Sequence, residues 1–132
     1  MPPSDAVRLF VYDSLMQGER DHALLQGATF VGSLRTAPLY TLYEVGPYAA
    51  LVGSGAVSVL GELYVIDRQR RFELDVKRQY PALFQRLDVT LEDGTSAEAY
   101  CMTEAQVRGK RRIKHGSFRD RFAAKPRNFV SR

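Results

Sequence analysis

Apolar and polar positions along this chain fall mostly into short β-type runs. "RLFVY" (8–12) is apolar throughout after its arginine, the pattern of a strand covered on both faces. A polar turn follows, and "GERDHALLQG" (18–27) then places Leu24 and Leu25 on a short helix that Gly27 can end in a left-handed conformation. From Ala28 to Ile66 the runs "ATFVGSLRT", "LYTLYEV", "AALV" and "VSVLGELYVI" predict successive strands, punctuated by Pro38, Gly46-Pro47 and Gly53-Ser54-Gly55.

"DRQRRFELDVKR" (67–78) switches to a polar, helix-favouring composition with Asp67 as N-cap, and the helix should end before Tyr80-Pro81. "LFQRLDVTL" and "SAEAYCM" flank Glu92-Asp93-Gly94-Thr95, where Asp-Gly between β-type runs signals a hairpin, so the last two strands should be antiparallel neighbours. Mostly antiparallel strands with two short helices make an α+β domain. A small closed or nearly closed β-barrel is the expected way to remove the edges of so many strands.

Composition narrows the setting. At 132 residues, 45% hydrophobic and 26% charged, the chain fits one soluble domain with a proper core. No apolar run reaches the about 20 residues of a membrane span, and Met1-Pro2-Pro3-Ser4-Asp5 is neither a signal start nor an anchor, so a cytoplasmic protein with no membrane partner is expected. One cysteine, Cys101, and two histidines, His22 and His115, supply neither a metal-ligand cluster nor a disulfide framework. Cys101 reads as a small buried hydrophobe and His22 as a surface residue without an obvious partner.

The net charge of +4 is unevenly spread. Residues 1–107 hold 9 Lys or Arg against 14 Asp or Glu, whereas residues 108–132 hold 10 against 1. A body at 1–107 and a basic extension at 108–132 follow, the extension docked on the body or trailing from it. Its cations, with Phe118, Phe122 and Phe129 interleaved, suit either docking on the acidic body or binding of nucleic acid along a basic strip.

Taken together, "FVYDSLMQGERDHALL", "GPYAALV", "VLGELYVID", "LDVKRQYPALFQRLDVTL" and "AEAYCM" resemble, in order and spacing, the γ-glutamylcyclotransferase-like family. Its motif series runs Tyr-Gly-Ser-Leu, Gly-x-Tyr-Pro, Val-x-Gly-Glu-Leu-Tyr, then Leu-Asp-x-x-Glu-Gly before a Tyr-x-Arg strand. The resemblance implies a mixed barrel of about six strands with flanking helices and a cavity at its mouth, floored by the Tyr-Gly-Ser-Leu loop. It also implies a reaction needing no metal or organic cofactor, in which an α-amine attacks the γ-carbonyl of its own γ-glutamyl group to release 5-oxoproline. A glutamate carries the proton, and backbone N–H groups of the loop hold the substrate carboxylate and the developing oxyanion.

Carried over residue by residue, the loop falls on Tyr12, Asp13, Ser14 and Leu15, the expected ligand-binding residues. The glutamate falls on Arg78, the glycine after it on Gln79, and the Tyr-x-Arg pair on Phe84 and Arg86. Arginine stays protonated in proteins and cannot be the general base. Asp13 in place of the loop glycine would repel a substrate carboxylate by about 4 kcal/mol at 4 Å and an effective dielectric near 20. These two departures are of opposite charge and should face one cavity, so Asp13 and Arg78 are expected to meet in an ion pair or through a shared water.

Of the remaining groups, Glu62 and Tyr64 share one face of their strand by period-2 counting and would form a substitute acid/base pair if that face looks inward; otherwise Glu62 is a solvated or salt-bridged strand residue. Ser14 lacks the adjacent base a nucleophile needs and is a turn or capping residue by default. Tyr12 and Leu15 would anchor the core in any strand-to-helix junction. The expectation is therefore a γ-glutamylcyclotransferase-like protein with a rebuilt site. It would act on or bind a small molecule bearing an amine and a carboxylate at the barrel mouth, without standard 5-oxoproline formation. The alternatives are a catalytically dead ligand- or partner-binding member and a protein that binds nucleic acid through its basic tail.

Overall fold

The computed structural model describes residues 6–122, so the end of the extension, Phe129 included, lies outside the described residues. Seven strands form one mixed sheet: β1 (Val7–Val11), β2 (Thr29–Arg35), β3 (Tyr40–Val45), β4 (Tyr48–Val57), β5 (Leu60–Ile66), β6 (Gln85–Thr90) and β7 (Ser96–Cys101). Their order is β2-β5-β1-β7-β4-β3, with β6 branching off β7. β7 pairs parallel to β1 and β4, and the other pairings are antiparallel.

The α+β class stands, and closure into a barrel does not. β2 and β3 end the strand path, and a single bridge, Thr36 to Leu91, links the end of β2 to the end of β6. Edges are instead managed by covering: Glu44 N–H donates to the Arg111 carbonyl, Ile113 N–H to the Leu42 carbonyl, and Arg112 bridges Tyr43, so residues 111–113 lie along β3. Ile113 and Phe118 are buried in the common core there.

Several local signals act where they were read. Asp67 caps α1 (Arg68–Lys77), its carboxylate accepting from the Arg70 N–H at 2.8 Å. The hairpin of β6 and β7 turns at Asp93-Gly94, with Leu91 and Thr95 paired across it. The first helix is a single 3-10 turn, His22–Leu25, after which Gly27 adopts φ +88°.

Gly53-Ser54-Gly55, read as punctuation, lies inside β4, which runs ten residues. Opposite it the register jumps, from Thr41 facing Val52 to Tyr40 facing Val57. At Gly55, with φ +137°, a Cβ would sit 2.1 Å from Thr41 Oγ1, so a glycine lets the excess chain bulge out without ending the strand.

Strand β1 lies mid-sheet between β5 and β7, and Leu9, Phe10 and Val11 are buried, as an all-apolar run demands. Its carboxyl end delivers Tyr12-Asp13-Ser14-Leu15 into the interior.

Candidate functional site

Two elements meet at this end of the sheet. One is the turn leaving β1, the other the C-terminus of α1, where Arg78 is the capping residue and its N–H donates to the Leu74 carbonyl. Leu74 is the buried anchor of the helix, so its packing fixes where Arg78 emerges.

Arg78 and Asp13 form a bidentate pair. Arg78 Nη1 donates to Asp13 Oδ2 and Nη2 to Asp13 Oδ1, both at 2.9 Å, and Nη2 also reaches Ser14 Oγ at 3.3 Å. Both residues are buried, at 4% and 2% exposure. Burial pulls the Arg78 guanidinium down, but the Asp13 charge and hydrogen bonds outweigh it and hold it above its ordinary value. The guanidinium is also walled by aromatics, 4.6 Å from the Tyr48 ring centroid and 5.0 Å from that of Phe84, which meet edge to face.

The rest of the turn is tied down. Ser14 Oγ donates to Asp21, whose carboxyl is held below the usual range by its hydrogen bond to Arg20, against the effect of burial, and further by that to Ser14. Tyr12 accepts from the Leu51 N–H at 3.0 Å and donates to the Tyr100 carbonyl, pinning the end of β1 to β4 and β7. Burial raises the Tyr12 hydroxyl well above its ordinary value. What remains open between Phe10, Tyr12, Asp13, Leu15, Arg78 and Tyr100 is a void of about 10 Å³. That is at the lower limit of roughly 10–15 Å³ for one water.

Glu62 and Tyr64 do meet, with the Tyr64 hydroxyl donating to Glu62 Oε1 at 3.0 Å, but neither lines this void. Glu62 also accepts the Gln17 N–H at 2.9 Å and lies 3.9 Å from Arg119, so it fastens the outgoing end of the turn to β5. Burial, then the bond to Glu62, raises the Tyr64 hydroxyl. His22 has a partner after all: its Nδ1 is 2.9 Å from the Leu15 carbonyl, and the ring is half-buried.

A model of the family described as "Gamma-glutamyl cyclotransferase, AIG2-like" matches residues 9–120. The chain belongs to this family. Among gamma-glutamyl cyclotransferase-like relatives, a Vibrio cholerae protein named "Putative gamma-glutamylcyclotransferase" is 36% identical over 88 residues, covering 67% of this chain and 76% of its own. The solution structure of ytfP from Escherichia coli superposes with a TM-score of 0.67 at 32% identity over 87% of this chain and 98% of that one. The crystal structure of an AIG2-like protein from Mus musculus gives a TM-score of 0.62 at 27% identity over 76% and 78%.

Set on the gamma-glutamyl cyclotransferase motif, the structure brings together departures that lie far apart in sequence. By the motif resemblance, Asp13 stands at the loop glycine's position and Arg78 at the glutamate's. A third gains its meaning only in three dimensions: where Gly-x-Tyr-Pro places a proline, this chain has Ala49, and the Ala49 N–H donates to Asp13 Oδ2 at 3.3 Å. Proline has no N–H to give. Tyr48 and Phe84, which sandwich the guanidinium, were marked only by belonging to the motif series, and Asp21 by nothing in its surroundings.

Proposed function

We propose that this chain is a family member that does not form 5-oxoproline and instead binds a small molecule carrying both an amine and a carboxylate at the Asp13–Arg78 site. The buried bidentate pair carries this reading. Cyclisation requires a base for the ammonium proton, and the position that supplies it in the family holds a permanently charged guanidinium. Asp13, the carboxylate nearest to it, already accepts from Arg78 and from the Ala49 N–H, so its lone pairs face donors and not a substrate amine.

Binding is favoured by charge exchange. An internal pair can open only if neither partner is left buried and unmatched, because an orphaned buried charge costs several kcal/mol. A zwitterion meets that condition: its carboxylate replaces Asp13 against Arg78 and its ammonium replaces Arg78 against Asp13. A monoanion, a simple amine or a neutral amide satisfies one side at most.

Calorimetric titration with α-amino acids, γ-glutamyl amino acids and matched monoanions tests this. Saturable binding of zwitterions alone, weakened at least about tenfold in Asp13→Asn, is the expected result. Equal binding of monoanions, or no binding of any zwitterion, contradicts it.

A further inference from the structure

Beside β3 and β4 lies a second cleft, of about 350 Å³, between Thr41, Tyr43 and Ser54 on the strands and Arg108, Gly109 and Arg112 on the incoming extension. Volumes of this order are typical of ligand-binding clefts. It shares no residue with the Asp13–Arg78 site.

Between residues 108 and 122 the cations of the extension fall into two groups. Arg111 pairs with Glu44 at 3.0 Å, Arg119 with Glu19 at 3.0 Å, and Arg121 stacks 3.6 Å over the Phe118 ring. These hold the segment down. Arg108, Lys110, Arg112 and Lys114 are exposed, and among the described residues no carboxylate lies within ion-pairing distance of them. Arg112 bridges Tyr43 on β3 beside the buried Ile113. The Arg112 guanidinium lies 5.9 Å from the ring centroid of the half-buried Tyr43, which lines the cleft together with Arg108.

We infer that this cleft is a binding site for single-stranded nucleic acid, with phosphates on Arg108 and Arg112 and a base against Tyr43. Unpaired cations in a cleft beside an aromatic ring are what sequence-independent single-strand binding uses. Docking and nucleic-acid binding, read from the sequence as competing roles of the basic tail, are thereby divided between different residues of it. One group in the cleft works against phosphate: Glu104, which accepts the Ser54 hydroxyl. Its charge lowers affinity and limits binding to low and moderate salt.

Fluorescence anisotropy of the full chain with labelled dodecamers of dT and rU tests the site. Arg108→Glu with Arg112→Glu should weaken binding at least about tenfold and flatten the slope of log K against log salt by about 1.4, two phosphates at about 0.7 each on a single strand. Tyr43→Ala should cost about tenfold with the slope unchanged. Glu104→Gln should tighten binding about twofold or more. Arg111→Gln, which removes a cation already paired with Glu44, should cost less than about threefold, with circular dichroism confirming that every variant is folded.

No binding at 50 mM salt, affinity unchanged in the double arginine variant, or binding abolished by truncation after Phe122 would overturn the assignment. So would a mononucleotide binding as tightly as the dodecamer, or polyglutamate binding with the same dependence on Arg108 and Arg112.

Discussion

Arg78 holds Asp13 through two N–H···O bonds of 2.9 Å. On the proposed reading these residues stand where the family's motif has its glutamate and loop glycine, so the negative charge of the cavity moves from the helix end to the turn. Because both partners are buried, neither can change alone without leaving a stranded charge.

Asp13→Ala and Arg78→Leu should therefore each cost about 3–5 kcal/mol, while the two combined should cost well below the sum. Urea unfolding of the three variants measures the coupling. Additive costs would show that the two residues do not act as a pair.

Ala49 extends the same logic to a backbone group. Ala49→Pro removes the N–H that faces Asp13 Oδ2, a hydrogen bond to a charged acceptor worth about 1.5–3 kcal/mol. In an Asp13→Gly, Arg78→Glu background the donor has nothing to serve, so the cost of the same substitution should largely vanish. A thermodynamic cycle from denaturant midpoints checks this, and equal costs in both backgrounds would remove Ala49 from the site.

Gln79 follows Arg78 at φ +54°, a left-handed conformation at the position of a motif glycine. An L side chain there costs about 1–2 kcal/mol, against about 0.5–1 kcal/mol of added unfolded-state entropy for glycine. Gln79→Gly should accordingly raise stability by up to about 1 kcal/mol with an unchanged urea m-value.

Legibility in the sequence followed locality. The Asp67 cap and the Asp93-Gly94 turn depend on residues within a few positions of each other, and both stand as read. The inside of Gly53-Ser54-Gly55 depends on a register jump against Tyr40 and Thr41, and barrel closure on which distant strands pair, so neither was visible in a linear pattern. Asp13 and Arg78 stood out because their side-chain charges break a motif. Ala49 did not, because its contribution is a backbone N–H that alanine shares with nearly every residue type.

Cys101 is 1% exposed, and burial pushes its thiol up to about 12. Neither access nor thiolate is available in the native state near neutral pH. Ellman's reagent at pH 8 should leave the folded protein unmodified and titrate one thiol in denaturant, and rapid native labelling would show that β7 opens far below the global unfolding free energy.

The central claim, that the Asp13–Arg78 pair has replaced the cyclising site, is tested most directly by chromatographic detection of 5-oxoproline. Wild-type protein and the Asp13→Gly, Arg78→Glu variant are incubated with γ-glutamyl amino acids and γ-glutamyl amines. The wild type should release none above the uncatalysed rate, and the variant, which regains a carboxylate at the helix end and removes the one in the turn, should release it catalytically. Catalytic release by the wild type would contradict the account.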